Sequence, residues 1–414
     1  MPIPFPGRLV ITSVPSLMSD ISGVGRDRAR GGYSRFVLTP AELELREWFG
    51  GEAARRSLDV EVDRNGVLWA WHSAGSSTGA VVTGSHLDSV PGGGAFDGPL
   101  GIATAFCAYD RLLNEGALGD RPFAIAAFPE EEGARFGVAC LGSRLMTGAI
   151  DPDRARGLTD ADGVSYAEAL AGAGIDPRHI GPDPDRLKSL SAFVELHVEQ
   201  GRGLIDLGQP VAVGDAILGH GRWRITVRGQ GNHAGTTLMD DRRDPMVAAA
   251  AIVVAVRDLA RQQPDARATV GRIQPVPGGT NVIASRVEVW LDVRHPSDEV
   301  TASLVARIAA SASSLAASEG CTASVTEESL SPTVHFDASL RSSLCAALPG
   351  APVLGTGAGH DAGVLGSHVP TGMLFVRNPT GISHAPEEHV EDDDADAGAD
   401  ALARCLAPLL RVAG

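Results

Sequence analysis

The chain has 414 residues, enough for two domains, each with its own core. Hydrophobic residues at 43% and charged residues at 21% are an ordinary globular balance and exclude global disorder. A formal net charge of −16 and a pI of about 5.2 oppose phosphate backbones and anionic lipid, so neither nucleic acid nor a membrane is an expected partner; local arginines still leave room for a small anionic substrate.

In chain order, the opening MPIPFPGRLVITSVPSL is broken by prolines and lacks a basic start followed by an apolar block, so no secretory signal is expected. Five scattered cysteines (Cys107, Cys140, Cys321, Cys345, Cys405) form no CxxC pair and point to thiols in a reducing cytoplasm. Residues 80–83 predict a strand entering a loop at His86, 100–113 a helix, 123–128 a strand and 192–198 another strand. This is the alternation of an α/β fold with a mainly parallel sheet, and the polar clusters GSHLDS, PEEEG and HVEQG follow its strands, where such sheets place ligands. From 211 to 328 the pattern changes to strand 222–227, helix 245–261, strands 268–274 and 286–294, helix 299–317 and strand 322–327. That is the ferredoxin-like β-α-β-β-α-β order of an inserted domain, with residues 1–210 and 329–414 making up the rest. Within it, the apolar run 246–256 is too short to span a bilayer and predicts a buried helix. Beyond it come a strand at 373–376 and a helix at 395–410, whose preceding run EDDDAD suits a helix N-terminus.

The polar clusters carry the chemistry. PGGGAFDGPLG brings Asp97 to the start of a helix, and its glycines let the backbone fold tightly. Taken alone, Asp97 reads better as a helix cap and His86 as a satisfied loop histidine. Glu130, Glu131 and Glu132 follow the apolar strand FAIAAF and would repel one another in a closed core, so they face either solvent or a cation. His197 stands near the end of AFVELHVEQG, and His384 in GISHAPEEH after LFV. Together, His, Asp, Glu, His and His at strand ends form a mixed imidazole and carboxylate set suited to zinc, manganese, cobalt or nickel. Two such ions about 3.5–4 Å apart can share a carboxylate and a water, lowering the water's pKa toward about 7. A neighbouring carboxylate must then carry the proton to the leaving nitrogen.

The motifs TGSHLDSVPGGGAFDGPLG, PEEEGARFG, ELHVEQG, GNHAGTT, GAGHDA and GISHAPEE run through nearly the whole chain. In combination they resemble the amidase, hydantoinase and carbamoylase family of dinuclear metallohydrolases, part of the aminoacylase and carboxypeptidase clan. The resemblance implies two divalent metal ions (Zn, or Mn, Co or Ni), with His86 and His197 as terminal ligands, Asp97 as the bridging carboxylate, and Glu132 and His384 completing the set. It makes Glu131 the general base, leaves Glu130 a neighbour, and turns Gln200 toward the substrate's ureido group. It implies that the inserted domain is a lid joining a homodimer. His233 there would stabilise the oxyanion, from its own or the partner chain, Asn281 and Arg294 would grip a carboxylate, and Arg222 would add a polar contact. By residue type alone, Arg294 reads instead as a strand-end ion pair. His360 and Asp361 would shape the pocket or support ligands. Leu238 and Ala284 stand where the family often has proline, and VRNPTGISH also departs from its commoner form.

The implied activity is hydrolysis of a linear ureido C–N bond in a small carboxylate. Allantoate is the expected substrate, because GGYSRF, GHGRW and VRNPTGISH look most like bacterial allantoate amidohydrolases. N-carbamoyl-L-amino acids and β-ureidopropionate are the alternatives, followed by the peptide and acyl-amino-acid substrates of the wider clan. HVEQG and the Asn281/Arg294 pair favour the ureido branch. A protein of this fold that merely bound metal would have no use for Glu131.

Overall fold

The computed structural model describes residues 12–72 and 78–411; most of the proline-broken opening lies outside them. The chain divides into two compact units, one running to Ala216 and resuming at His335, the other Ile217–Val334.

The strands in chain order are β1 (Asp59–Val62), β2 (Leu68–His72), β3 (Ala80–His86), β4 (Phe123–Phe128), β5 (Leu190–Val198) and β6 (Val211–Ile217). Next come β7 (His220–Arg228), β8 (Asn232–His233), β9 (Arg267–Val276), β10 (Val282–Ile283), β11 (Arg286–Arg294) and β12 (Thr322–Ser331). The last three are β13 (Val334–His335), β14 (Val353–Thr356) and β15 (Thr371–Val376).

The first unit is built on a mixed sheet of order β1-β2-β4-β3-β5-β15-β6-β13, with β14 pairing β6. Its centre, β4-β3-β5-β15, is parallel throughout. Every residue of β3, β4 and β15 is buried, which is why these strands read as unbroken apolar runs rather than alternating ones. The helix Pro99–Asn114 lies against the sheet, burying Leu100, Ile102, Phe106 and Leu112, each of which contributes about 1.5–3 kcal/mol of transfer free energy. Gly101 lets its first turn press onto β5, since a Cβ there would stand 2.4 Å from the Leu196 carbonyl oxygen. The closing helix Asp392–Leu409 carries Asp392, Asp393 and Asp394 in its first turn, where carboxylates meet the positive end of the helix dipole.

The second unit has a four-stranded antiparallel sheet of order β12-β7-β11-β9, with helices Pro245–Arg261 and Asp298–Ser318. Numbered by appearance the four strands run 4-1-3-2, the ferredoxin-like arrangement, with β8 and β10 as a separate small ladder. The unit has its own core of Ile225, Val227, Ile252, Val287, Val289, Leu304 and Ile308. Its limits differ from the expected 211 and 328. β6 pairs with β15 and so belongs to the first sheet, while β12 continues to Ser331 on its register with β7.

The helix over 246–256 is buried on one face only: Ala248, Ala249, Ile252 and Val256 face the core, while Met246, Val247 and Val254 are exposed. The helix Asp298–Ser318 is long and apolar enough to cross a membrane by length and composition, but it packs Leu304, Ile308, Ala312 and Ala316 into this unit's core.

Candidate metal centre

The parallel strands end at a common edge, and the candidate ligands gather there. His86 is the last residue of β3 and His197 the second-last of β5. PEEEG directly follows β4, and His384 lies in the loop beyond β15. The cap role that Asp97 suggests when taken alone does not hold. The cap residue of Pro99–Asn114 is Gly98, with no side-chain cap bond, and the Asp97 side chain turns toward the histidines instead. Gly98 has φ +85°, and a Cβ on it would stand 2.5 Å from the His86 ring, so glycine is what permits this approach.

Asp97 lies between two groups of ligand atoms. Its Oδ1 is 3.5 Å from His86 Nε2 and 3.2 Å from His197 Nε2, and those two nitrogens are 3.4 Å apart. Its Oδ2 is 3.3 Å from His384 Nε2, which is 3.4 Å from Glu132 Oε2. The structure thus forms two triads, His86–Asp97–His197 and Asp97–Glu132–His384, that share one carboxylate. His86 Nδ1 lies 3.0 Å from the Asp88 carbonyl and His197 Nδ1 3.0 Å from the Val198 carbonyl. Donation at those atoms leaves both Nε2 lone pairs free to face Asp97. His86 and His197 are buried, whereas the His384 side chain is 48% exposed and marks the open side of the centre.

The glutamates are not solvated. Glu130 and Glu131 are buried, and the Glu132 side chain is almost so. Their backbone is held from two sides. Asp88 accepts the N–H groups of Glu131 and Glu132 at 3.2 Å each, while the start of helix Leu141–Thr147 donates to the carbonyls of Pro129, Glu130 and Glu131. Glu130, at φ +56°, turns away from the cluster to accept the N–H groups of Arg135 and Phe136. Glu131 points inward, with Oε2 3.7 Å from His86 Nε2 and Oε1 3.5 Å from His360 Nδ1.

Whether divalent cations suit this cluster is decided by its unmet bonding. Among the described residues, the ion-pair partners of Asp97, Glu131 and Glu132 are histidines. Buried Oε1 atoms of Glu131 and Glu132, and both ring nitrogens of His360, lack a hydrogen-bond partner. Burial, with the neighbouring Asp97 charge, pushes Glu132 up to about 7, and burial raises Glu131 well above the ordinary carboxylate range. A group of carboxylates this desolvated is costly unless a cation compensates it. Imidazole nitrogens and carboxylate oxygens with free lone pairs are the donors zinc, manganese, cobalt and nickel take. The residues present fit such ions.

The other expected site residues are distributed between the units. Gln200 donates through Nε2 to Asp97 Oδ2 at 3.0 Å and to Ser383 Oγ at 3.1 Å, so it sits against the ligands themselves. The His360 ring packs against His197, tilted by 55° with ring centroids 4.4 Å apart. Asp361 accepts a hydrogen bond from Ser143 Oγ. His233, Asn281, Arg222 and Arg294 belong to the second unit. There the β8/β10 ladder sets His233 beside Asn281, whose carbonyl accepts the Ala234 N–H at 3.0 Å. Arg294 is held by Asp292 at 2.8 and 3.0 Å, the strand-end pair that its residue type suggested, and Arg222 approaches the same carboxylate at 3.7 Å. Three buried carboxylates with no expected role support the centre: Asp88, Glu195 and Glu388. Glu195 accepts from Ser85 Oγ and the Ala362 N–H, each at 3.1 Å. Spacing could have found Asp88 and Glu195, each two residues from a histidine ligand candidate on a strand or its end, and Glu388, the last residue of GISHAPEE, stands four residues after His384.

Comparison with known proteins agrees with this geometry. Residues 82–407 match the model of Peptidase family M20/M25/M40. The chain is 35% identical to an N-carbamoyl-L-amino acid amidohydrolase of Geobacillus stearothermophilus, over 93% of this chain and 95% of the relative. It is 32% identical to an allantoate amidohydrolase of Escherichia coli (strain K12), again over 93% and 95%. A solved amidase of the hydantoinase/carbamoylase family from Burkholderia multivorans superposes with a TM-score of 0.84 at 30% identity, covering 96% of this chain and 98% of that one. The chain therefore belongs to Peptidase family M20/M25/M40, and within it to the amidohydrolases that cleave carbon–nitrogen bonds outside peptides.

Proposed function

We propose that the chain hydrolyses the ureido C–N bond of a small ureido acid at a two-metal centre formed by His86, Asp97, Glu132, His197 and His384, with Glu131 as general base. The observation that carries this reading is the position of Asp97, with one carboxylate oxygen in each ligand triad. Two divalent cations held there by these side chains would supply Lewis-acid charge for the substrate carbonyl and would make water acidic enough to lose a proton near neutral pH. Glu131 accepts that proton at a carboxylate oxygen and returns it to the leaving nitrogen. Asp88 and the start of helix Leu141–Thr147 hold its backbone during the transfer. Gln200, whose buried Oε1 lacks a partner, offers an acceptor to a ureido N–H. Arg294, with Asn281 and Arg222, is assigned to the substrate carboxylate, because a guanidinium binds a carboxylate bidentately; Asp292 holds Arg294 in the meantime. His233 is assigned to the oxyanion. The reading extends to a cytoplasmic homodimer joined through the second unit, supported by the apolar residues Met246, Val247, Val254 and Ile273 exposed on that unit.

Allantoate is the proposed substrate. Its second ureido group calls for polar partners, and Gln200 Oε1 and both His360 nitrogens are buried polar atoms without one. A site built for hydrogen bonds rejects analogues that lack them. N-carbamoyl-L-amino acids are the second reading, favoured by the 35% identity to a relative of that name. Ammonia release by the purified protein, loaded in turn with manganese, zinc, cobalt and nickel, decides between them. The expected result is kcat/KM for allantoate at least about tenfold above N-carbamoyl-methionine and N-carbamoyl-alanine, a gap of about 1.4 kcal/mol. Faster turnover of the carbamoyl amino acids overturns allantoate, and faster hydrolysis of dipeptides, read as free amino acids by ninhydrin, overturns the ureido class.

A further inference from the structure

The glycines of PGGGAFDG answer different neighbours. A Cβ on Gly92 would stand 2.8 Å from Arg30 Cβ, and one on Gly93 3.0 Å from Val90 Cγ2. A Cβ on Gly94 would stand 2.2 Å from Oε1 of Glu388. Gly94 is thus the space into which a buried carboxylate fits. Glu388 is 4% exposed. Its Oε1 accepts the backbone N–H of Phe96 at 3.1 Å and of Asp97 at 3.0 Å. Its Oε2 accepts from Ser383 Oγ at 3.3 Å, and Ser383 Oγ lies 3.5 Å from Asp97 Oδ2.

Glu388 belongs to neither ligand triad. It nevertheless joins two of the three loops that carry the second one, those of Asp97 and His384. Four residues after His384, it fixes the backbone of Asp97 and the side chain of the residue before His384. Asp97 is the residue common to both triads, so a rotation of its carboxylate would loosen both. With Glu388 removed, the Phe96 and Asp97 N–H groups lose their acceptor, and no side chain from Gly94 replaces it.

We propose that Glu388 is a positioning residue of the metal centre, which locks Asp97 and the His384 loop together so that one carboxylate serves both triads. This rests on the reading of Asp97 as a ligand shared by two ions. The test strips metal from the full chain with a chelator, then measures Mn²⁺ stoichiometry and affinity by calorimetry and the visible spectrum with Co²⁺. Wild-type protein is compared with Glu388→Gln, Glu388→Ala and Gly94→Ala, with a metal-free melt as the folding control. Glu388→Ala is expected to weaken at least one ion by about 10–100-fold and to change the Co²⁺ spectrum. Glu388→Gln keeps an oxygen acceptor for both N–H groups and should stay within about threefold of wild type. If Glu388→Ala does not fold, Gly94→Ala, which fills the carboxylate's space, should show the same loss. Wild-type affinity and spectrum in Glu388→Ala, or in Gly94→Ala where the first variant fails to fold, overturn the proposal; so does a Glu388→Gln as weak as Glu388→Ala. A wild-type chain that binds fewer than two ions overturns the shared-ligand reading itself, a distinguishable result.

Discussion

Glu131 and Glu132 are adjacent, chemically identical and differently placed. Glu132 Oε2 faces His384, while Glu131 reaches between His86 and His360. The proposed division of labour follows this placement: Glu132 would donate lone pairs to a metal, and Glu131 would move the proton. Replacement by glutamine separates the roles, because an amide keeps the shape and loses the basicity. Glu131→Gln is expected to retain metal and lose about 10²–10⁴-fold in kcat. Glu132→Gln should lose metal occupancy first, and activity with it. Elemental analysis beside steady-state kinetics checks both, and the opposite pattern would exchange the two assignments.

Among the elements, the junction of β3 and helix Pro99–Asn114 carries a tight local demand at the edge of the centre. Gly98 combines a positive φ with a ring 2.5 Å from where its Cβ would be, so an added methyl strains the backbone and pushes on His86 together. Gly98→Ala should lower unfolding free energy by about 1–3 kcal/mol and weaken metal binding in parallel. Gly172 is the control, since nothing lies within 4 Å of its would-be Cβ, and Gly172→Ala, in a helix, should leave metal affinity unchanged and raise stability by up to about 1 kcal/mol. Denaturant midpoints with and without metal read the outcome. Equal metal affinity in Gly98→Ala and wild type would remove the link between this turn and the ligand. Strand ends set the remaining ligands: β3, β4, β5 and β15 run parallel and finish at one edge, so residues far apart in sequence meet without long side chains.

At the scale of the molecule, the centre connects distant parts of the first unit, with its proposed ligands running from His86 to His384 across the inserted second unit. Ions that bind this arrangement and not the unfolded chain stabilise it by mass action, by about 2.7 kcal/mol per site at a free concentration 100 times Kd. Chelation should therefore lower Tm measurably, and Mn²⁺ or Zn²⁺ should restore it in a concentration-dependent way. A Tm indifferent to chelator and to added metal would contradict the two-metal reading at its root. The second unit, with a core of its own, contributes none of the five proposed ligands, so metal should leave its local stability unchanged.

Strong periodicity and composition determined several of the elements from the sequence alone. Phe123–Phe128, Pro245–Arg261 and Arg286–Arg294 have the predicted limits, because their apolar runs end at turn residues or charges. The α/β class, the βαββαβ order of the insertion and the residue types of the candidate cluster were equally legible, since each rests on pattern or on motif. Tertiary structure decided what pattern does not encode. β3 extends through Ser85 and His86, polar residues that stay in the strand because the cluster buries and uses them. Asp97, better read as a helix cap in isolation, becomes the shared carboxylate because histidines from β3, β5 and a distant loop converge on it. Glu388 acquires its role only when Gly94, nearly three hundred residues earlier, leaves room for it. Local sequence fixes backbone conformation through steric and hydrogen-bonding preferences over a few residues. Which charges meet is set by strand order and loop closure, and those depend on the packing of the whole first unit.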